Sequence, residues 1–298
     1  MIISASRRTD IPAFYSEWFM NRIAEGRFEC VNPFNPSQVR IVSLVPQDVD
    51  VIVFWSKNPE PLLKNLDELD ARGFRYYFQY TLNDYPGFLE PGVPSLCKRL
   101  DTFQRLASRL GSKRVIWRYD PIIVGNITPV EYQLESFAHI SDKLSGYCER
   151  VIISFVDFYA KLSARMKKLE VTNSFIAHDI TRPEYMDRLA LLVSGINSLA
   201  SANNMKVYSC SEVIDLSKWG VEHGSCIDAA LINDIFNMDL CTNKDQNQRK
   251  GCLCAASVDV GTYNTCGHAC SYCYANLSEA LVSKNRLRYD PGSPSLCR

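Results

Sequence analysis

The sequence predicts an α/β protein: a partial (β/α)6 TIM-like barrel with a C-terminal cysteine-rich metal-binding region. Three observations support this fold class. Short apolar runs recur along residues 1–210, helical patterns lie between the runs, and most of the twelve cysteines follow the point where this alternation stops. Successive strand–helix units form parallel sheets with right-handed crossovers, and helices on both faces bury such strands completely.

Six runs rich in β-branched and aromatic residues are the predicted strands. Their apolarity is nearly continuous rather than alternating, which is typical of strands covered on both faces. Six strand–helix units favour an open or partial barrel, and a doubly wound sheet is the alternative. The predicted strands are 2–6, 50–55, 76–81, 114–119, 150–156 and 206–210.

Cap residues and prolines locate the helices between these strands. Asp10 and the proline two residues after it open a predicted helix that continues to Gly26, because an aspartate N-cap and an early proline favour a helix start. Thr128 and Glu131 have the spacing of a capping box at the start of another helix. Residues 30–45 are predicted to form a hairpin bounded by prolines.

The chain is predicted to divide into a barrel domain, residues 1–210, and a C-terminal region, residues 211–298. The second part lacks the strand–helix alternation and holds most of the cysteines. We therefore predict that residues 211–298 form an iron–sulfur cluster-binding region packed on the barrel.

The composition indicates the cellular compartment of the protein but does not identify a binding partner. The 33 basic and 33 acidic residues balance, so net charge favours neither nucleic acid nor a membrane, although a local basic surface is compatible with nucleic acid. The N-terminus lacks a basic leader before a long apolar run, and no apolar stretch is as long as a membrane span. We therefore expect a cytoplasmic protein with no membrane partner. In a reducing compartment, closely spaced cysteines are better explained as metal ligands than as disulfides.

The strongest functional signal is the loop Cys266-Gly-His-Ala-Cys270-Ser-Tyr-Cys273. Three thiolates at this spacing can hold three corners of a [4Fe–4S] cluster and leave the fourth iron open. A structural zinc site prefers four ligands, so zinc would have to recruit His268 or a distant cysteine. We expect His268 to be a solvated loop residue. The loop lies between a predicted strand and a predicted helix, 256–261 and 274–283.

This cysteine loop resembles that of the radical SAM superfamily, which often has an aromatic residue before the last cysteine, as Tyr272 is here. The resemblance implies that the open iron chelates the amino and carboxylate groups of S-adenosylmethionine. Electron transfer from a reductase or a flavodoxin- or ferredoxin-type donor then gives a 5′-deoxyadenosyl radical. The superfamily places the loop after the first barrel strand. A rearranged strand order would bring this C-terminal loop to the barrel mouth.

The whole chain is also similar to a bacterial family known as a domain of unknown function. The shared stretches are SASRRTDIPAFY, VIVFWSKNP, WRYDPI and CSYCYAN, and they extend over nearly the full length. This resemblance implies a radical SAM-like protein without indicating its substrate.

Four further cysteines suggest a second metal site. Cys210 ends the sixth predicted strand, Cys226 follows it, and Cys252 and Cys254 form a C-x-C pair shortly before the cluster loop. Four thiolates suit either a second [4Fe–4S] cluster or a structural Zn²⁺. Free buried thiols are the alternative. The remaining cysteines are expected to be ordinary thiols: Cys30, Cys97, Cys148, Cys241 and Cys297.

Polar side chains follow the carboxyl ends of the predicted strands, where barrel enzymes hold their reactive groups. Basic side chains among them suit the carboxylate of S-adenosylmethionine or an anionic substrate group. Helix caps and structural ion pairs are the alternative explanation, and no residue is assigned a catalytic role. The predicted cofactor-binding residues are Arg8, Lys57, Arg118, Asp120 and Glu212.

These patterns predict a radical SAM-like iron–sulfur enzyme that acts on a small or nucleotide-like substrate. Two alternatives remain open: a nucleic-acid-binding or repair-associated protein with a structural Fe–S cluster, and a zinc-stabilised barrel hydrolase. The sequence contains no glycine-rich phosphate loop and no nucleophile elbow.

Overall fold

A computed structural model describes residues 1–33, 35–241, 243–246, 248–249 and 251–297. The strands are β1 (Ile2–Ala5), β2 (Arg27–Asn32), β3 (Asn35–Ser43), β4 (Val51–Ser56), β5 (Tyr76–Thr81), β6 (Val115–Ile122), β7 (Val124–Gly125), β8 (Arg150–Phe155), β9 (Ala177–His178), β10 (Lys206–Cys210), β11 (Glu222–Gly224) and β12 (Val258–Asp259). The helices are α1 (Ile11–Phe14), α2 (Ser16–Glu25), α3 (Glu60–Leu63), α4 (Leu66–Ala71), α5 (Leu96–Leu110), α6 (Val130–Leu144), α7 (Ala160–Asn173), α8 (Met186–Ala202), α9 (Ala229–Phe236) and α10 (Glu279–Leu287).

The mixed α/β fold is built on a large parallel sheet. Its eight strands have the order β11-β10-β8-β6-β5-β4-β1-β12. All six predicted strands are present in this sheet, and the predicted 30–45 hairpin is the antiparallel pair β2–β3. The α/β class and the parallel sheet are therefore confirmed. The TIM-like barrel stays a prediction.

The chain forms two compact units. The first consists of Met1–Tyr80, Ala256–Ala269 and Cys273–Arg298, and the second of Thr81–Ala255 and Cys270–Tyr272. In the first unit β12, β1, β4 and β5 are neighbours and pair in parallel. In the second unit β6, β8, β10 and β11 do the same. The predicted C-terminal metal-binding region, 211–298, stays a prediction about function.

Each unit has an aromatic core beside its strands. In the first unit Phe54 stacks on Phe78 at 4.9 Å between ring centroids, and Phe19 of α2 meets Phe54 edge-on. In the second unit Trp117 stacks on Phe137 of α6 at 4.6 Å. All five rings are fully buried, and each contributes roughly 1.5–3 kcal/mol or more. Packing against these rings stabilises the strands whose carboxyl ends are followed by the polar side chains.

Three details of the helix predictions are wrong. The helix predicted from Asp10 to Gly26 is interrupted at Tyr15, whose buried hydroxyl donates to the Thr265 carbonyl at 2.6 Å. Thr128 does not cap α6, because its hydroxyl donates to the carbonyl of Ile123 instead. The helix predicted at 274–283 begins only at Glu279, after Ser278 caps it.

Candidate functional site

The first unit gathers polar groups at the carboxyl ends of β1, β4 and β12. Parallel strands bring these ends to one edge, and β1 pairs with both other strands. Asp259, the last residue of β12, accepts hydrogen bonds from the hydroxyls of Ser4 (3.0 Å) and Ser6 (2.5 Å). The backbone N–H groups of Arg7 and Gly261 also donate to it, both at 2.9 Å. This carboxylate therefore fixes the start of the loop that leads to the cysteine motif.

Asp10 connects three parts of the same edge. Its carboxylate caps α1 by accepting from the Ala13 N–H at 3.0 Å, so the predicted N-cap is confirmed. It also accepts from the Ser56 hydroxyl at 2.7 Å and the Lys57 N–H at 2.8 Å, both at the end of β4. The fourth donor is Nε2 of His268 at 2.8 Å.

The prediction that His268 is solvated is wrong. Only 2% of this residue is exposed, and its ring packs edge-on against Phe14 at 4.7 Å between centroids. A buried imidazole needs a polar partner, which Asp10 provides. Because the Asp10 bond occupies Nε2, the geometry favours a structural tie over metal ligation through this nitrogen.

Cys266 and Cys273 belong to the first unit. Burial raises the pKa of the Cys266 thiol to about 12, and the negative charges of Asp10 and Cys273 contribute to this rise. The amide of Asn276 donates to the Cys266 carbonyl at 2.9 Å, and the Tyr274 hydroxyl donates to the Arg7 carbonyl. The backbone on both sides of the motif is thereby fixed within this unit.

Cys270 belongs to the second unit and is buried there. The following residue, Ser271, donates through its N–H to the Leu89 carbonyl at 2.9 Å and through its hydroxyl to the Phe88 carbonyl at 2.7 Å. The Tyr272 hydroxyl donates to the Glu90 carboxylate. None of the three motif cysteines forms a disulfide.

Arg8 and Lys57 lie at the edge of the first unit. Arg8 donates weakly to the Gly261 carbonyl at 3.4 Å, and its guanidinium lies 5.3 Å from the ring centroid of Tyr263. The Lys57 backbone is tied to Asp10. Both side chains are half-buried, so they remain candidates for an anionic ligand.

Arg118 and Asp120 lie within β6 and Glu212 follows β10, all in the second unit. Arg118 is buried and forms a two-pronged ion pair with Asp120, including Nε to Oδ1 at 3.0 Å. Glu212 accepts from the Phe155 N–H at 2.8 Å, and burial raises the pKa of its carboxyl to about 7. The structure thus divides the five predicted cofactor-binding residues between the two units.

The four cysteines of the predicted second site lie together in the second unit. The sulfurs of Cys210 and Cys226 are 2.8 Å apart. Cys226 also hydrogen-bonds with Cys254, whose thiol hydrogen-bonds with Cys252. Nη1 of Arg118 donates to the Cys226 sulfur at 2.6 Å. Across the described residues, no three His, Cys, Asp or Glu side chains are already arranged as metal ligands. The four cysteines are instead joined by hydrogen bonds, and we call them the four-cysteine cluster.

Comparison with known proteins identifies the family. The chain matches the family described as Domain of unknown function (DUF1848) over residues 2–275. The chain belongs to this family. The matched range contains both cysteine groups and every residue predicted to bind a cofactor. No curated protein matches the chain. In the part of the chain that the structure describes, no helix has the length and apolarity needed to cross a membrane.

Two groups in the matched range were missed by the sequence analysis. Asp259 forms a hydrogen bond with Ser6, and His268 forms one with Asp10; in each pair the two residues are about 250 positions apart in the sequence. A sequence signal exists only for Asp10, through its helix-capping position. The other contacts depend on β12 pairing with β1, which the order of elements along the chain does not indicate.

Proposed function

We propose that this chain is a radical SAM-like iron–sulfur enzyme. In this proposal Cys266, Cys270 and Cys273 hold a [4Fe–4S] cluster with one open iron. The observation that carries the proposal is the position of β12. This strand is the last among the described residues, yet it pairs in parallel with β1, with Ile3 opposite Val258. The strand before the cysteine loop therefore lies beside the first strand of the chain, which supports a rearranged order in which this C-terminal loop replaces the loop after the first barrel strand.

The residues present fit such a cluster. Three cysteines at C-x3-C-x2-C spacing, none of them in a disulfide, can supply three ligands, and no fourth thiolate is needed in an open site. A zinc site at this loop would need a fourth ligand, and Nε2 of His268 is engaged by Asp10. A bound open-iron cluster supplies chelation of S-adenosylmethionine and its one-electron reductive cleavage.

The chain itself contributes ligands, rigidity and positive charge. Asp259 and Asp10 fix the backbone on either side of the carboxyl edge of the first unit. Arg8 and Lys57 supply positive charge there, suited to a carboxylate or phosphate.

We infer a small, anionic or nucleotide-like substrate and an electron donor of the reductase, flavodoxin or ferredoxin type. We also infer a cytoplasmic location, a barrel-like curvature of the sheet and a metal-binding role for residues 211–298.

Product analysis tests this function. The chain is purified anaerobically, reconstituted with iron and sulfide, reduced with dithionite and incubated with S-adenosylmethionine. Mass spectrometry should detect 5′-deoxyadenosine, formed slowly even without substrate. Cys270→Ala should abolish this product, whereas Cys97→Ala, at an exposed thiol, should not. Fully loaded, reduced wild-type protein that forms no 5′-deoxyadenosine would contradict the proposal.

A further inference from the structure

The four-cysteine cluster of the second unit assembles from three separate segments. Cys210 ends β10, and Cys226 lies just beyond β11, which pairs in parallel with β10 so that Cys210 is opposite Gly224. Cys252 and Cys254 come from the irregular segment after α9. We propose that these four thiolates bind one tetrahedral ion, Zn²⁺ or a single iron, and that Arg118 positions them. This inference does not rest on the proposed radical SAM function.

The packing of the sulfurs favours a single ion over a second cubane. Cys210 and Cys226 are 2.8 Å apart, too far for a disulfide bond of about 2.05 Å. A tetrahedral ion with metal–sulfur bonds of about 2.3 Å holds its sulfurs about 3.8 Å apart. In a [4Fe–4S] cluster each cysteine binds a different iron, so the sulfurs lie farther apart. Thiols already in hydrogen-bond contact need only exchange these bonds for bonds to one central ion.

Burial supports a metal-binding role for the four-cysteine cluster. Cys226 and Cys254 are each only 3% exposed, and Cys252 is 7% exposed. None of these cysteines forms a disulfide. Four thiolates around a divalent ion carry excess negative charge, which is costly to bury without a compensating group. The site therefore needs a buried cation or N–H donors close to the sulfurs.

Arg118 and one backbone amide supply these donors. Nη1 of Arg118 donates to the Cys226 sulfur at 2.6 Å, while its other nitrogens are held by Asp120. The N–H of Ile227 points to the Cys254 sulfur at 3.5 Å. Groups that hydrogen-bond to metal ligands orient them and tune the affinity for the metal. Arg118 is thus a positioning residue, oriented by Asp120.

The ion would stabilise a segment that has little regular structure. Between α9 and β12, the described residues form neither a helix nor a strand, apart from an isolated bridge between Lys244 and Ala255. Backbone bonds from Ala255 N–H to Ile227 and from Asp245 N–H to Cys254 hold it near the thiols. Metal binding at such a site contributes to folding directly.

Native mass spectrometry of the full-length protein tests the site. The C266A/C270A/C273A variant removes the cluster loop, and about one zinc or iron per chain without sulfide should remain. Adding Cys252→Ser should remove this ion and lower Tm by on the order of 10 °C. The control, Cys241→Ser, changes an exposed cysteine between α9 and the C-x-C pair and should leave both values unchanged. If the triple variant does not fold, the Cys252→Ser and Cys241→Ser comparison is made in the wild-type chain.

Competition with a colorimetric zinc chelator tests the role of Arg118. Arg118→Gln should weaken metal binding by about 10- to 100-fold. Arg150→Gln is the matched control, because Arg150 is in the same unit and forms an ion pair with Asp228 at 2.7 Å. It should lower Tm without changing metal affinity. Folded protein that binds no metal, a Cys210–Cys226 disulfide, or four irons with four sulfides at these cysteines would each overturn the single-ion proposal. Equal metal affinity in both arginine variants would overturn the positioning role.

Discussion

Replacing Asp10 with Ala should be among the most destabilising single changes in the first unit. The carboxylate is nearly buried and accepts four hydrogen bonds, from Ala13 N, Ser56 Oγ, Lys57 N and His268 Nε2. Each bond to a charged group contributes about 1.5–3 kcal/mol, but contributions within one network are not additive. The variant also leaves buried donors without their acceptor. We therefore expect a loss of about 4 kcal/mol in the free energy of unfolding.

Urea denaturation followed by circular dichroism measures this loss. The matched control is Ser278→Ala, which removes an N-cap in the same unit that makes one bond, to Leu281 N–H at 3.2 Å. That change should cost only about 1 kcal/mol. Asp10→Asn should have an intermediate cost, because the amide retains one acceptor oxygen. An Asp10→Ala cost no greater than that of Ser278→Ala would refute the view that Asp10 connects α1, β4 and His268.

Further predictions concern a glycine and a buried thiol. Gly261→Ala should destabilise the protein by about 1–3 kcal/mol, because the new Cβ would lie 2.0 Å from Ser6 Oγ. Gly87→Ala, where nothing lies within 4 Å of the new Cβ, should change the melting temperature little, and equal effects of both substitutions would contradict the steric argument. Burial raises the pKa of the Cys148 thiol from 9.0 to about 12, so the folded state retains a proton that the unfolded state loses. Its contribution to stability is therefore complete below pH 9 and is lost as pH rises toward 12, and Cys148→Ala should flatten this decline in urea titrations. In thiol labelling at pH 8, Cys97 and Cys241, both exposed, should react first, and labelling of Cys148 before unfolding would show that it is accessible.

The sequence indicates the main strands because their physical cause is local. The core strands β4, β5 and β8 are nearly continuous apolar runs, and these are visible without tertiary information. Edge strands of two or three residues, such as β11 and β12, carry too few residues for a pattern. Their strand character comes from pairing with a neighbour, which is a tertiary effect.

The candidate sites show the same division between local and distant causes. The spacing of the cluster loop and the placement of Cys210 at a strand end are local features, so both cysteine groups could be predicted. The burial of His268 could not, because it depends on a carboxylate 258 residues away in the sequence. Arg118 was expected to meet a cofactor, but its guanidinium is engaged by Asp120 and Cys226, partners that no sequence spacing indicates.

The electron paramagnetic resonance spectrum of the reduced protein tests the open iron most directly. The measurement uses anaerobically reconstituted Cys252→Ser protein, so that the four-cysteine site does not contribute iron. The account predicts a reduced [4Fe–4S] signal that changes when S-adenosylmethionine is added and stays unchanged with adenosine, which lacks the chelating amino and carboxylate groups. A fully loaded cluster whose spectrum is the same with and without S-adenosylmethionine, or reconstituted protein without any iron–sulfur signal, would contradict it.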